Sequence, residues 1–191
     1  MGAFIGVHYC TQKGVPMKYN PDIHHRHTIR LQHYDYSKEG LYFITSCIKK
    51  RECILGNIDF VGTPAHRCPD NSNMLLSNKG YIVKKCLENI NDVYDNVKLD
   101  YYIIMPNHIH IIIYISTSGH LWAGVPTKQK NNISIPKIMN SLKTITSKQI
   151  GYPIWQHNYY EHIIRNEKEY YKIREYIKYN PFNWKDDEYN C

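Results

Sequence analysis

Hydrophobic positions follow two rhythms along the chain. Residues 41–48 (LYFITSCI) are dense in aromatic and β-branched types and predict a buried strand, followed by the basic cluster Lys49, Lys50 and Arg51. After Ser77, a good N-cap residue, Ile82, Val83, Cys86, Leu87, Ile90 and Val93 recur at helical spacing and predict one amphipathic helix. Residues 99–105 and 108–115 return to β-rich composition. The Pro106-Asn107 step between them predicts a tight turn and an antiparallel hairpin. Ser134 then predicts the cap of a second helix, with apolar positions Ile135, Ile138, Met139, Leu142 and Ile145 and with Pro136 in the first turn, where proline is tolerated. A strand is predicted over 154–164. Asn166, with Glu169 three residues on, opens a third helix that runs to Asn180 and is stopped by Pro181.

The order β-α-β-β-α-β-α fits an α+β, ferredoxin-like (split βαβ) domain. Such a domain has a four-stranded antiparallel sheet with two helices on one face, and here one extra C-terminal helix. The stretches 62–73 and 116–132 are polar, with the Gly and Pro content of loops. The expected division is an N-terminal arm at 1–28, polar and rich in His and Arg towards its end, a domain at 29–184 and a short tail at 185–191. Met17 is an alternative start.

Composition narrows the function classes. A hydrophobic fraction of 42% argues for a folded core, and no stretch nears the roughly 20 apolar residues of a membrane span. The N-terminus lacks a signal-peptide pattern, so a cytoplasmic location is expected. The 24 Lys and Arg outnumber the 17 Asp and Glu, which makes a polyanion a plausible partner but only slightly favours nucleic acid over a solvated basic surface. Six cysteines are scattered without a C-x-x-C, which excludes a zinc ribbon or thioredoxin motif and predicts reduced thiols.

Two features carry candidate chemistry. His108-Ile109-His110 opens the second hairpin strand, and alternation points both imidazoles to one face, where they could share a metal ion or simply bond one another. On the last helix, Tyr176 and Asn180 lie four apart on one face, so a phenol and an amide are neighbours. Nothing in the composition singles out Tyr176 among 18 tyrosines.

The runs Met105-Pro106-Asn107-His108-Ile109-His110, Trp155-Gln156, Tyr159 to Asn166 and Arg174 to Pro181 together resemble the REP-associated tyrosine transposases, within the single-tyrosine HUH transposases. Residues 20–26 and 41–45 resemble the family's opening, so the likeness spans roughly 17–184. It implies a ferredoxin-like fold and cleavage and rejoining of single-stranded DNA beside imperfect palindromes, through a 5′-phosphotyrosine link. By motif position it implies Tyr176 as nucleophile and His108, His110 and Asn180 as ligands of Mg²⁺ or Mn²⁺. The nitrogen-rich donor set favours Mn²⁺ or a softer ion over Mg²⁺. The implied partner is a hairpin-forming single strand, with the protein a monomer or homodimer associated with the nucleoid.

Phosphate contacts are expected from Lys49, Lys50, Arg51, Lys137, Lys143, Arg165, Lys172 and Arg174. Tyrosines or Trp155 are candidates to stack unpaired bases. A catalytically idle hairpin DNA- or RNA-binding module on the same fold is the alternative reading. A metal-binding structural protein without nucleic acid is a weaker one.

Overall fold

The structure, a computed structural model, describes residues 34–58, 74–116 and 133–190. The predicted arm at 1–28, the loop at 62–73 and the loop at 116–132 apart from Ser116 lie outside the described residues.

The elements are β1 (Gly40–Cys47), β2 (Gly56–Ile58), β3 (Met74–Leu76), α1 (Asn78–Glu88), α2 (Ile90–Val93), β4 (Val97–Ile104), β5 (His108–Ile115), α3 (Ile135–Ile150), β6 (Tyr160–Ile164) and α4 (Glu167–Tyr179). The main sheet has the order β4-β5-β1-β6, and every pairing in it is antiparallel. Each crossover from β1 to β4 and from β5 to β6 skips one strand and carries its helices across the sheet. This is the split βαβ arrangement expected from the element order.

Strand alternation sorts the core into two faces. Tyr42 and Ile44 of β1 and Ile109, Ile111 and Ile113 of β5 pack with Val83 and Leu87 of α1 and Ile138, Met139 and Leu142 of α3. On the opposite face, Phe43, Ile112 and Ile164 pack with Ile177 of α4, flanked by Tyr170 and Ile173. Spacing of three and four along α4 explains this stripe, and it lays the helix over the face that holds His108 and His110. In β4 the alternation changes phase: Leu99 pairs with Ile113 and Tyr101 with Ile112, leaving Asp100 as an extra residue. This bulge lets Leu99 and Tyr102 face the same side.

Capping follows the sequence at two of three helices. Ser77 Oγ accepts from Gly80 N at 3.1 Å and donates to Ile54 O at 2.7 Å. Asn166 Oδ1 accepts from Glu169 N at 2.9 Å. The Glu169 carboxylate reaches back to Arg165 N at 2.8 Å and meets His162 Nε2 at 2.7 Å, so the reciprocal bond falls one residue before the cap. Ser134 sits at the cap position of α3, but its side chain makes no capping bond.

Several expectations are corrected. The single helix through Val93 breaks at Asn89, leaving α2 as one separate turn with Val93 exposed. Ile145 is likewise exposed rather than on the buried stripe of α3. The strand predicted over 154–164 begins only at Tyr160, and Trp155 joins Ile48 in an isolated bridge. Trp155 is itself a core residue whose indole donates to Thr146 Oγ1 at 2.7 Å, which removes it as a stacking platform. The short β2–β3 hairpin had no signal in the periodicity. Cys47 and Cys86 are free thiols, whereas Cys53 is disulfide-bonded, against the expectation of thiols throughout. Among the described residues no helix is long and apolar enough to cross a membrane.

Candidate active site

The site begins at the turn between β4 and β5. Met105 N donates to His108 O at 2.8 Å and closes the turn. Pro106 O and Asn107 O accept from Leu55 N and Ile48 N, pinning it to the segment after β1. His108 and His110 then leave β5 on the same face, opposite Cys47 and Thr45 of β1. Both imidazoles are buried, and their Nε2 atoms stand 3.0 Å apart.

Neighbouring groups fix the orientation of His108. Asn107 Nδ2 donates to Arg51 O at 3.2 Å and Tyr189 O at 2.6 Å, so Asn107 Oδ1 faces His108 Nδ1 at 2.8 Å. Amide oxygen only accepts, hence Nδ1 carries the proton and His108 Nε2 presents its lone pair. His110 Nδ1 lies 2.8 Å from Thr45 Oγ1. The hydroxyl serves either tautomer, donating when Nδ1 is bare and accepting when it is protonated. Phe43 stacks on the His110 ring with centroids 5.5 Å apart.

Helix α4 brings Tyr176 and Asn180 to this pair. The Tyr176 hydroxyl is 3.5 Å from His110 Nε2, and its ring meets His110 and Phe43 edge-on. Asn180, at the C-cap of α4, is buried. Its Nδ2 donates to Asp187 Oδ2 at 2.8 Å, while its Oδ1 has no hydrogen-bond partner. The four residues selected from the sequence therefore converge.

The chain beyond α4 completes the surroundings. A 3-10 turn at Trp184–Asp186 leads to Tyr189, whose ring lies 4.7 Å from that of His108, with Trp184 at 6.0 Å. Arg51 Nη1 donates to Glu188 O at 2.7 Å, and its guanidinium lies over the Tyr189 ring. Trp184 and Tyr189 thus pack on the histidine pair.

Electrostatics follow from this enclosure. Burial pushes His108 down to about 3, outweighing the opposing Asn180 amide, and the Arg51 charge lowers it further. His110 is held well below the ordinary histidine range by burial and by its neighbour His108. Both rings are thus neutral, the form that ligates metals. The Tyr176 phenol is raised by burial, then by the Asp187 and Glu188 carboxylates, so a nearby cation or base is needed to ionise it at neutral pH.

The donor set fits a divalent ion. The two Nε2 atoms stand at hydrogen-bond distance from one another on one face of the sheet, and as neutral imidazole nitrogens they could hold a divalent ion between them. The orphaned Asn180 Oδ1 is a buried oxygen donor of the kind hard cations take. Among the described residues no cluster of three His, Cys, Asp or Glu side chains could hold a metal, so a third protein donor beside the two imidazoles would have to come from another residue type, such as the Asn180 amide.

The basic candidates are more dispersed. Lys49, Lys50 and Arg51 form an exposed turn directly after β1, at the His108 end of the sheet, with Lys50 and Arg51 at positive φ. Lys137, Arg165 and Lys172 are exposed on α3, before α4 and on α4. Lys143 Nζ donates to the carbonyls of Gln156, His157 and Asn158 at 2.9–3.2 Å and sits over the Tyr159 ring. The Arg174 guanidinium lies over Tyr101 and donates to Tyr170 OH at 2.8 Å.

Site residues missed in the sequence include Asn107, Thr45, Phe43, Asp187 and Tyr189. Asn107 was read as a turn former. Thr45 and Phe43 become visible only through the β1–β5 register, and Asp187 lies past the end of any periodic pattern.

With sheet, histidine pair and tyrosine helix in place, comparison with known proteins becomes informative. The fold is that of the REP-associated tyrosine transposase: the structure of that protein bound to a REP hairpin aligns with a TM-score of 0.55 at 18% identity, covering 81% of this chain and 73% of that one. At the sequence level the chain belongs to the same family as a Haemophilus influenzae protein described as uncharacterized, 40% identical over 184 residues and spanning 90% of this chain and 96% of the relative. No protein-family model matches the chain.

Proposed function

We propose that the protein is a metal-dependent single-stranded DNA endonuclease and strand transferase of the transposase kind, cleaving beside DNA hairpins through a 5′-phosphotyrosine intermediate. One observation carries this reading. The Tyr176 hydroxyl stands 3.5 Å from a buried pair of neutral imidazoles whose facing nitrogens are 3.0 Å apart. Such a pair is built to take a cation beside a nucleophile. The known binding of a REP hairpin by a protein of the same fold supports hairpin DNA as the substrate.

His108, His110 and Asn180 would hold Mg²⁺ or Mn²⁺, which supplies Lewis-acid polarisation of a phosphate oxygen and favours the phenolate. Asn107 and Thr45 orient the imidazoles by their Nδ1 atoms. Tyr176, 44% exposed, is open to substrate on one side, as an attacking group requires. Its oxygen forms the bond to phosphorus as the 3′-oxygen leaves, giving a 5′-phosphotyrosine and a free 3′-hydroxyl. A 3′-hydroxyl of a second strand reverses the step without a nucleotide cofactor, because the phosphotyrosine retains the ester bond. Lys49, Lys50 and Arg51, exposed after β1, would neutralise backbone phosphates approaching from the His108 end.

The test is a denaturing-gel search for a covalent protein–DNA adduct, with labelled single-stranded hairpins and Mn²⁺ or Mg²⁺. The wild type forms a metal-dependent adduct, whereas Tyr176→Phe and His108→Ala form none and Tyr176→Phe still binds hairpin. Tight hairpin binding without any adduct in the wild type would overturn the enzymatic reading in favour of an idle binding module.

A further inference from the structure

We propose that Asp187 is a positioning residue, which acts through Asn180 to aim that residue's amide oxygen at the histidine pair. The proposal rests on the metal-site reading above. The observation behind it is an asymmetry in how the Asn180 amide is held. Its Nδ2 donates to Asp187 Oδ2 at 2.8 Å, while its Oδ1 is buried without a hydrogen-bond partner.

The two ends of a primary amide are nearly the same size and opposite in electrostatic character, so shape alone does not choose between them. A carboxylate does choose. It accepts only, so the NH₂ group turns towards Asp187 and the oxygen is left on the other side. Asp187 cannot easily rotate away, because its second oxygen accepts from Tyr189 N at 2.7 Å. The Asn180 backbone is fixed in turn, as the C-cap residue of α4 whose N–H bonds to Ile177 O.

The orphaned oxygen is the second half of the argument. A buried acceptor left unsatisfied is unfavourable, and proteins retain such groups where something else completes them. A cation at the histidine pair completes this one. Without Asp187 the amide is free to turn its NH₂ inwards, which presents donors where the ion needs an acceptor.

The experiment measures Mn²⁺ binding to metal-free full-length protein, by calorimetry and by the loss of the free Mn²⁺ spin-resonance signal, without DNA. Asp187→Ala weakens Mn²⁺ binding by about 10-fold, the lower end of what removing a partner of a metal ligand costs. Asp187→Asn, nearly isosteric and still offering one acceptor oxygen, recovers most of that loss and keeps the test usable if the alanine variant folds poorly. In an Asn180→Ala background, Asp187→Ala has no further effect, because the two act as one unit. Unchanged affinity in Asp187→Ala, with wild type binding normally, would overturn the proposal. So would a full Asp187→Ala effect persisting in the Asn180→Ala background, which would mean direct action on the ion. Failure of the wild type to bind Mn²⁺ at all would instead overturn the metal reading on which this one stands.

Discussion

His108 is held neutral by its surroundings, and that has a consequence for stability that can be measured without DNA or metal. Burial depresses both imidazoles in the folded protein, His108 to about 3, from the ordinary value of 6.5. On unfolding the rings return to water and bind protons below about 6.5. The unfolded state therefore takes up more protons than the folded one in that window. The contribution to stability is complete above about pH 6.5 and declines as pH falls towards 3. Urea denaturation of the metal-free protein between pH 7 and pH 4.5 should show midpoints falling with pH, and the slope should be shallower for His108→Gln. An equal slope in the two proteins would mean that the ring is not held neutral by the fold. The H-x-H spacing announced the two rings in the sequence. The tautomer of His108 did not appear there, because Asn107 sets it through a bond that exists only once the turn has formed.

At the scale of elements, α4 is the part on which the site depends most. Its start was legible from Asn166 and Glu169, whereas the apolar stripe of Tyr170, Ile173 and Ile177 emerges only when the helix is laid on the sheet. Ile177 is fully buried against Phe43, Ile112 and Ile164. Ile177→Ala is expected to cost about 2–5 kcal/mol in urea denaturation, as buried isoleucine truncations do. Tyr176 is one residue away yet 44% exposed, so Tyr176→Phe should change stability by less than about 0.5 kcal/mol. Together the two variants separate the anchor of the helix from its chemistry. If Tyr176→Phe proved as damaging as Ile177→Ala, the Tyr176 hydroxyl would be a structural hydrogen-bonding group and not one kept for chemistry.

A second element-level expectation concerns Gly80, in the first turn of α1. A Cβ there would collide with the Leu55 carbonyl, so Gly80→Ala should lower the thermal midpoint despite alanine's better helix propensity. Periodicity predicted the helix but not this contact, which comes from the segment between β1 and β2. The break at Asn89 was hidden for a related reason. Ile90 keeps the helical spacing and is buried, although the chain has already left α1. The Asp100 bulge likewise interrupts an alternation that composition alone reads as continuous.

For the whole molecule, the site is assembled from parts far apart in the chain. Thr45 comes from the first strand, the histidines from the hairpin, Tyr176 and Asn180 from the last helix, and Asp187 and Tyr189 from the segment after it. The convergence of the H-x-H pair with Tyr176 was implied by the family resemblance alone, whereas the split βαβ arrangement could be read in advance from the order of local patterns. The enclosure by residues 184–190 could not, since irregular chain leaves no period to read. Several tyrosines, from α4 and from this segment, stand near the proposed reaction. Tyr189 lies against His108 and Tyr176 against His110, while Tyr179 is exposed one residue before Asn180.

The most direct measurement is therefore to locate the DNA attachment. Wild-type protein is incubated with Mn²⁺ and a hairpin-forming strand, the adduct is digested with nuclease and protease, and the peptide carrying the nucleotide remnant is sequenced by mass spectrometry. The account predicts a remnant on Tyr176 alone. A remnant on Tyr179, Tyr189 or any other residue would contradict it.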